Sequence, residues 1–368
     1  HLASQEPESD VGARRAVPDE IIESFIRPFD LSQAPLLRAG LIKTAKDKHI
    51  LMVDMHHIIS DGTSMGILIK DFMAIYSGDE LTPVMIRYRD FSKWQSLQRE
   101  SDALKKQGEY WLAQFAGDLP ELELPTDYPD RDAGEESFAG DRLEFEIDRE
   151  ETQSLRQLEK EEKTTLFMVL SALYNVFLAK ICSREEVVVG VPTAGRNRAD
   201  LQHTIGMFVN TLALRNYPAQ EKTFKEFLRE VKERTLQALE NQDYQFDDLV
   251  DRLGRSLFSV MFSLLNLDIP ELEIPGLKLR PYPFRNRTSK FDLILNAEER
   301  GDRLRFIFEY NTGLFKEETI ARFVKYFKEI MNGILKNRDI RLADIHISLD
   351  LSDSRPEIYR EAAGEFEF

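Results

Sequence analysis

The segment His56-His57-Ile58-Ile59-Ser60-Asp61-Gly62 combines residue types that can do chemistry. An imidazole titrates near neutral pH, so a histidine here could accept or donate a proton. Asp61 could fix a turn or hold a cationic partner, and Gly62 exposes a backbone that a substrate can approach closely. The segment is therefore the first candidate for a catalytic site.

Two predicted elements position this segment. The apolar run from Ile50 to Val53 predicts a buried strand before it, and the dense apolar positions of residues 64–76 predict a helix after it. Adjacent residues of a strand point to opposite faces, so His56 and His57 cannot both line one cavity. We therefore expect one histidine to be structural and the other to be free.

Two other interpretations of these residues stay open. A histidine pair beside a strand is often a hydrogen-bonded part of the core, and an Asp-Gly step is a common turn signal. Histidine and aspartate are also zinc ligands. The diverging imidazoles argue against a metal, and the sequence has no cysteine cluster or HExxH motif; its other histidines are His1, His49, His203 and His346. We expect no metal.

The composition narrows the class of protein. The chain of 368 residues has 49 basic and 65 acidic residues, a net charge of −16. Such an acidic chain is a poor candidate for binding nucleic acid or an anionic membrane. The single cysteine, Cys182, excludes an internal disulfide and suits a reducing compartment. No apolar run approaches the length of a membrane span, and residues 1–20 lack the apolar core of a signal peptide, so we expect a cytoplasmic protein.

The length predicts two lobes, because a single core seldom extends over so many residues. We place an N-terminal lobe at residues 1–120, a linker rich in Pro, Asp and Gly at 121–140 and a C-terminal lobe at 141–348, and leave the tail 349–368 unassigned. Periodicity and turn signals predict helices at 21–29, 64–76, 102–115, 150–162, 166–181, 223–240, 246–254 and 317–335, and strands at 50–53, 141–147, 187–191, 257–266, 291–297 and 304–311. The run Val187 to Val191 indicates an interior strand that ends at Pro192, and the last three strands indicate a meander. The predicted class is mixed α/β.

The histidine segment resembles the HHxxxDG signature of condensation domains of nonribosomal peptide synthetases, which is shared in shorter form with chloramphenicol acetyltransferase and related acyltransferases. Further segments resemble motifs of that family in the same order: Tyr88 to Gln95, Gly206 to Leu212, Asn241 to Phe246 and Ser289 to Leu293. The resemblance extends over nearly the whole chain, and a run of ordered matches is far more specific than one short motif.

This resemblance implies an α/β (α+β) fold of two chloramphenicol-acetyltransferase-like lobes, arranged as a V-shaped pseudo-dimer with a tunnel between them. The family's first segments, which precede its paired histidines, have no counterpart here, so we expect the N-terminal lobe to be incomplete. Ser289 to Leu293 would belong to a crossover by which one lobe adds a strand to the other. We expect Tyr88, Trp94 and Trp111 to be core aromatics.

The implied reaction is peptide-bond formation between a donor aminoacyl or peptidyl thioester and the amine of an aminoacyl acceptor. Each substrate would be tethered through phosphopantetheine to its own peptidyl carrier protein, so no cofactor bound to the domain itself is expected. The expected partners are the donor and acceptor carriers and a neighbouring adenylation domain. An ammonium has no lone pair, so the reaction needs a group that accepts or orients the amine proton.

The resemblance also assigns roles to residues. His57 would accept or orient that proton, while His56 would pack on the opposite side. Gly62 would offer a backbone N–H to the developing oxyanion. Asp61 would be structural and pair with an arginine of the C-terminal lobe, for which we select Arg196. Residues expected to contact substrate or to support the site are Ser64, Phe208 and Asn210.

Four other functions compete with condensation. An epimerisation domain shares the paired histidines, but residues 208–211 resemble a condensing member. A heterocyclisation domain replaces the histidines with an aspartate pattern, and this chain keeps them. A CoA-dependent acyltransferase would use the same histidine on a small acceptor. A catalytically inactive scaffold that docks carriers is disfavoured by the intact His57 and Gly62. Among condensing subtypes, residues 55–64 look most like those that take an L-configured donor.

Overall fold

A computed structural model describes residues 20–119, 122–128, 138–265, 272–274, 276–282 and 287–348. The described chain is mixed α/β, as predicted. The tail at 349–368 and residues 1–19 lie outside the described residues.

The N-terminal part consists of a hairpin and helices. Its elements are α1 at 20–25, β1 (Leu37–Lys43), β2 (His49–Met55), α2 (Gly62–Ser77), α3 (Tyr88–Gln98) and α4 (Asp102–Gln114). β1 and β2 pair antiparallel, with Leu41 opposite Leu51. The helix predicted at 21–29 is shorter in the structure. Helix α3 was not predicted, because its apolar residues are few and its sequence is mostly polar.

One face of the hairpin is apolar and exposed. Leu41 is 65% exposed, and Leu37, Leu51 and Val53 on the same face are also exposed. Residues two apart in a strand share a face, so the alternation of these leucines with partly buried residues produces one uncovered apolar surface. Neither of the two hydrophobic cores of the described chain includes a residue of β1 or β2.

The C-terminal lobe is built on a six-stranded sheet of order β3-β10-β9-β6-β4-β5. Its strands are β3 (Gly140–Ile147), β4 (Val187–Thr193), β5 (Asn210–Asn216), β6 (Val260–Leu265), β9 (Leu293–Arg300) and β10 (Arg303–Asn311), while β7 (Leu272–Ile274) and β8 (Leu277–Leu279) form a separate hairpin. The prediction that Val187 to Val191 is an interior strand is confirmed, since β4 lies between β6 and β5. The predicted end of this strand at residue 191 was wrong by two residues, because Pro192 pairs with Thr211 and the strand continues to Thr193.

Two predictions about the late strands were wrong. β6 and β9 run parallel, so the last three strands are not a meander, although β9 and β10 are antiparallel neighbours. The segment from Ser289 to Leu293 does not carry a strand to the N-terminal lobe in the described chain. Ser289 N–H donates to Phe138 O, and Leu293 opens β9 beside β6, so the segment leads into a strand of the C-terminal sheet.

The helices of the C-terminal lobe pack on this sheet and on one another. They are α5 (Arg149–Glu161), α6 (Leu166–Cys182), α7 (Phe224–Glu240), α8 (Phe246–Leu253) and α9 (Glu317–Lys336). Helix α6 is almost entirely apolar and contacts α5, α7 and α9 as well as the sheet, so it is buried on nearly all sides. Capping boxes begin α5 at Asp148 and α7 at Thr223, and Gly254 with φ +65° ends α8.

Helix α4 belongs to this core although it precedes the predicted boundary. Trp111 and Phe115 are buried in the same cluster as the six-stranded sheet, and Trp111 Nε1 donates to Asn241 O at 2.8 Å. The hydrophobic core of the C-terminal lobe therefore includes residues that precede the predicted boundary at residue 120.

Trp94 was expected in the core but is 42% exposed. Part of the predicted linker is anchored, since Asp127 N–H donates to Leu314 O and its carboxylate accepts Lys316 N–H.

In the described part of the chain no single helix has the length and apolar composition needed to cross a membrane. One bent pair, α5 with α6, meets those criteria only when its two helices are taken together across a bend of 107°.

Candidate active site

A short turn carries the two histidines from β2 into α2. Residues His57–Ile59 form one 3₁₀ turn, which His56 caps by accepting the N–H of Ile58 at its Nδ1, 3.1 Å away. The ring of His56 also meets Phe29 edge-on at 6.3 Å. His57 is exposed. The structure thus gives the first histidine a structural contact and leaves the second open to a substrate.

Helix α2 begins directly after this turn. Asp61 is its N-cap, because Oδ1 accepts the N–H of Ser64 at 2.7 Å. Gly62 is the first helical residue and is exposed. The first N–H groups of a helix have no partner within it and carry the positive end of its dipole. A backbone N–H at Gly62 is therefore suited to a developing negative charge.

Asp61 and Arg196 form a buried ion pair between the two parts of the chain. Arg196 Nη2 lies 3.0 Å from Asp61 Oδ1 and 3.2 Å from Oδ2. The side chain of Asp61 is 0% exposed and that of Arg196 is 3% exposed. Phe208 N–H donates to Asp61 Oδ2 at 3.1 Å. A carboxylate with so many donors has no free lone pair facing a substrate, so Asp61 is unsuited to be the catalytic base.

The guanidinium of Arg196 is fixed by its own lobe as well. Its Nη1 donates to Leu201 O and to Thr204 O, each at 2.7 Å. Its carbon lies 4.1 Å from the centre of the Phe208 ring, a cation–π contact. Arg196 therefore holds the loop between β4 and β5 in shape while it binds Asp61.

A small aromatic cluster lies beside this ion pair. Phe208 is buried and packs at 4.7 Å from Phe91 and edge-on to Tyr88 at 5.1 Å. Burial, and secondarily the charge of Asp61, raise the pKa of Tyr88, so its hydroxyl stays protonated and donates to Met207 O at 2.8 Å. The Phe208 ring joins α3 to the C-terminal lobe and is covered by protein, which fits a residue that supports the site.

Asn210 supports a turn of the C-terminal lobe. Its Nδ2 donates to Gln242 O and Tyr244 O, each at 2.8 Å, and its Oδ1 accepts Thr211 N–H and Phe246 N–H at 2.9 and 3.1 Å. These four bonds use the full capacity of a carboxamide. Asn210 therefore shapes the turn at residues 241–246 and has no hydrogen-bonding group left for a substrate.

Several contacts of this region were missed by the sequence analysis. A Cβ on Gly206 would lie 2.2 Å from the Tyr88 ring, so the loop before β5 can approach helix α3 this closely only because residue 206 is glycine. Thr204 Oγ1 donates to Ile86 O at 2.7 Å. Tyr88 and Gly206 both belong to motif segments, but the sequence of a motif does not show which other segment it contacts in the fold.

The chemistry open to this arrangement is proton handling by an exposed imidazole. Within the described ranges no group of three or more His, Cys, Asp or Glu side chains could hold a metal ion. Burial raises the pKa of Cys182 to about 12, so its thiolate is scarce near neutral pH and it is unsuited to be a nucleophile. His57 is left as the candidate general base.

Comparison with known proteins decides the family. The model of the family described as "Condensation domain" matches residues 8–354. The chain belongs to the condensation domain family. The paired histidines, the Asp61–Arg196 contact and the exposed Gly62 are therefore features of a condensation domain of the kind found in nonribosomal peptide synthetases.

The relatives of this condensation domain are far longer proteins. It is 45% identical over 336 residues to surfactin synthase subunit 1 of Bacillus subtilis (strain 168), which covers 89% of this chain and 9% of that protein. It is 46% identical over 333 residues to bacitracin synthase 3 of Bacillus licheniformis, which covers 89% of this chain and 5% of that protein. The chain thus spans less than a tenth of the length of these relatives.

Solved structures show the same fold. The X-domain from teicoplanin biosynthesis, in complex with OxyB, superposes with a TM-score of 0.81 at 21% identity over 95% of this chain and 82% of that chain. The first condensation domain of the calcium-dependent antibiotic synthetase, bound to a substrate analogue, has a TM-score of 0.74 at 19% identity over 91% of this chain and 78% of that chain. The predicted fold class is confirmed by these matches.

Proposed function

We propose that this condensation domain forms a peptide bond between two substrates delivered on carrier proteins. The donor is an aminoacyl or peptidyl thioester and the acceptor is an aminoacyl thioester with a free amine. The observation that carries the proposal is the exposed His57 in the turn after β2, in the same segment as a buried carboxylate that is paired with an arginine. His57 is the one group of this cluster with a free proton-accepting atom.

The proposed step is the aminolysis of a thioester. The acceptor nitrogen attacks the donor carbonyl carbon, a C–N bond forms, the C–S bond breaks and the donor pantetheine leaves as a thiolate. His57 accepts or orients the proton of the amine, and the departing sulfur takes up that proton at the end. Holding the two thioester arms in reacting geometry contributes at least as much to the rate as the basicity of His57.

Neighbouring groups support this step. The N–H of Gly62 faces the developing oxyanion at the start of α2, where the helix dipole favours negative charge. His56 and Asp61 hold the turn and do not touch the substrates. The phosphopantetheine arms arrive on the donor and acceptor carriers, and a neighbouring adenylation domain supplies the amino acids. The donor is L-configured. The cytoplasmic location indicated by the sequence stays a prediction.

The test uses a donor carrier loaded with an L-aminoacyl thioester and an acceptor carrier loaded with a second amino acid. Dipeptidyl thioester on the acceptor carrier, measured by mass spectrometry, is the expected product. His57→Ala should lower its rate by a factor of about 10² or more, since general-base catalysis contributes that much. His49→Ala, an exposed histidine at the far end of β2, is the matched control and should keep the wild-type rate.

Other results would point to other functions. Acetyl transfer from CoA to a small amine would indicate an acyltransferase, and exchange of the Cα hydrogen in deuterated water would indicate epimerisation. Binding of carriers without any product would indicate a scaffold. Faster extension of a D-terminated donor would contradict the proposed subtype, and an unchanged rate for His57→Ala would refute the mechanism.

A further inference from the structure

The hydroxyl of Ser64 lies at the meeting point of three parts of the chain. Ser64 is 0% exposed on the first turn of α2. Its Oγ lies 2.7 Å from Asp61 Oδ1 and 3.0 Å from Arg196 Nη2. The same oxygen lies 3.0 Å from the nitrogen and 2.9 Å from the carbonyl oxygen of Gly206, in the loop before β5. One small side chain thus contacts the motif helix, the buried ion pair and the opposite lobe.

The bonding capacity of a hydroxyl shows how these contacts are used. A serine hydroxyl donates one hydrogen bond and accepts two. Gly206 N–H and Arg196 Nη2 are donors, so they occupy both acceptor positions of Ser64. The single hydroxyl proton then goes to Asp61 Oδ1 or to Gly206 O. Nothing is left over for a substrate, so Ser64 cannot be a substrate-binding residue.

The position of Ser64 relative to His57 indicates what the contact does. The turn that bears His57 runs directly into Asp61, and Asp61 caps α2 through the backbone of Ser64. Gly206 belongs to the loop that leads into β5 on the other side of the site. The bonds between Ser64 and the peptide of Gly206 therefore set the distance between the His57 turn and the facing lobe.

We propose that Ser64 is a positioning residue for the condensation reaction, holding the His57 turn at a fixed place against the loop at Gly206. This inference rests on the proposed function. Ser64 acts through its hydroxyl contacts with the second lobe and does not touch the reacting atoms.

Replacement by alanine removes the hydroxyl of Ser64 and leaves its backbone in place. Ser64→Ala keeps the backbone N–H that Asp61 accepts, so the cap of α2 stays, and the Asp61–Arg196 ion pair stays as well. What is lost is the acceptor of Gly206 N–H and of one Arg196 Nη2 contact, together with the hydroxyl proton that Asp61 Oδ1 or Gly206 O accepts, in a place where Gly206 is buried. The variant should fold, with the loop at Gly206 free to move away from α2.

The first measurement separates kcat from KM in the carrier-loaded condensation assay. Ser64→Ala should lower kcat by a factor of about 10 to 100, because a misplacement of about 1 Å can cost that much, while KM for each carrier stays at the wild-type value. The matched control is Ser171→Ala on α6. Ser171 is also a helical serine with 0% exposure, but its hydroxyl has no hydrogen-bond partner in the described chain. It should keep the wild-type kcat.

The second measurement does not depend on activity. In protein labelled at histidine, the ring resonances of His57 should shift or broaden in Ser64→Ala and stay in place in Ser171→Ala. Ser64→Cys, which fills the same space with a weaker hydrogen-bonding group, should show a smaller change in the same direction and covers the case in which the alanine variant does not fold.

The outcomes are distinct. A kcat equal to that of Ser171→Ala, or His57 resonances that do not move, would overturn the positioning role. A rise in KM with unchanged kcat would also overturn it and would indicate a carrier or substrate contact. If the wild-type domain makes no dipeptide, the proposed function fails, whereas the His57 resonances still decide whether Ser64 positions the turn.

Discussion

Removing the carboxylate of Asp61 should destabilise the protein strongly. The group is buried, and it accepts hydrogen bonds from Ser64, Arg196 and Phe208. Asp61→Ala leaves the guanidinium of Arg196 buried without its counter-charge, which costs about 3–5 kcal/mol. Loss of the helix cap adds about 1 kcal/mol. We therefore expect the free energy of unfolding to fall by about 4–6 kcal/mol.

Asp61→Asn separates these two contributions. Asparagine caps a helix about as well as aspartate, so the cap of α2 should survive. Its amide nitrogen, however, would face the N–H of Phe208 and the guanidinium of Arg196, both of which are donors. The asparagine variant should still lose about 3–5 kcal/mol, since the buried charge is again unpaired. Loss of the helix cap alone would lower the free energy of unfolding by only about 1 kcal/mol.

The assay is equilibrium unfolding in urea, followed by circular dichroism, with activity measured on the same samples. Asp200→Ala is the matched control, because Asp200 pairs with Arg198 in the same loop but at the surface, and exposed pairs contribute little. In the double variant Asp61→Ala/Arg196→Met the unpaired charge is gone, so its loss should be smaller than the sum of the single losses by about 2 kcal/mol. If Asp61→Ala unfolds at the same urea concentration as Asp200→Ala, the ion pair does not stabilise the fold as argued.

Three further predictions concern stability. Gly206→Ala should lose about 1–3 kcal/mol, because its Cβ would lie 2.2 Å from the Tyr88 ring, whereas Gly66→Ala, with nothing within 4 Å on α2, should gain about 0.5–1 kcal/mol in the same urea assay. Burial raises the pKa of Cys182 from 9.0 to about 12, so the thiol loses its proton at lower pH in the unfolded chain than in the folded protein. The free energy of unfolding should therefore be unaffected by this thiol below pH 9 and should fall by about 1.4 kcal/mol per pH unit between pH 9 and pH 12. Asn210→Asp should lose about 2 kcal/mol or more, because a carboxylate would face two carbonyl oxygens that now accept its N–H groups.

Each of these has a result that would contradict it. Equal unfolding midpoints for the two glycine variants would mean that the Tyr88 ring moves aside without lowering the free energy of unfolding. For Cys182, the measurement is the difference in the pH slope of stability between wild type and Cys182→Ala, and identical slopes between pH 9 and 12 would show that the thiol is not protected. An Asn210→Asp variant as stable as wild type would show that the turn at 241–246 does not depend on that amide.

Much of the fold could be predicted because its signals are local. The alternation or helical spacing of apolar residues indicated β3, α5, α6 and α7 to within one residue at each end. A strand or helix buries one face, and the residues that do so lie within a few positions of each other in the chain. Helix α3 escaped prediction, because its sequence is polar and its burial depends on a few aromatic contacts with a distant loop.

The candidate site was predictable only in part. The HHxxxDG segment identified His56, His57, Asp61 and Gly62. Strand alternation does not apply to the histidines, because β2 ends at Met55 and His56 and His57 belong to the 3₁₀ turn that follows it. The pairing of Asp61 with Arg196 was an expectation from resemblance, and the structure places the two in contact. Phe208 and Asn210 were expected to contact substrate or to support the site, and in the structure both are buried and contact other parts of the protein. Burial of this kind depends on residues far away in the chain.

By itself the sequence determined the family, the order of the motifs and, apart from β5, β7 and β8, the helices and strands of the C-terminal lobe, because each of these depends on the pattern of neighbouring residues. Only the tertiary structure decided that Ser64 meets Gly206, 142 positions away, that Tyr88 closes over the same loop and that α4 packs into the core of the other lobe. The physical reason is that a hydrogen bond requires its two groups to lie about 3 Å apart, and the path of the folded chain alone sets that distance.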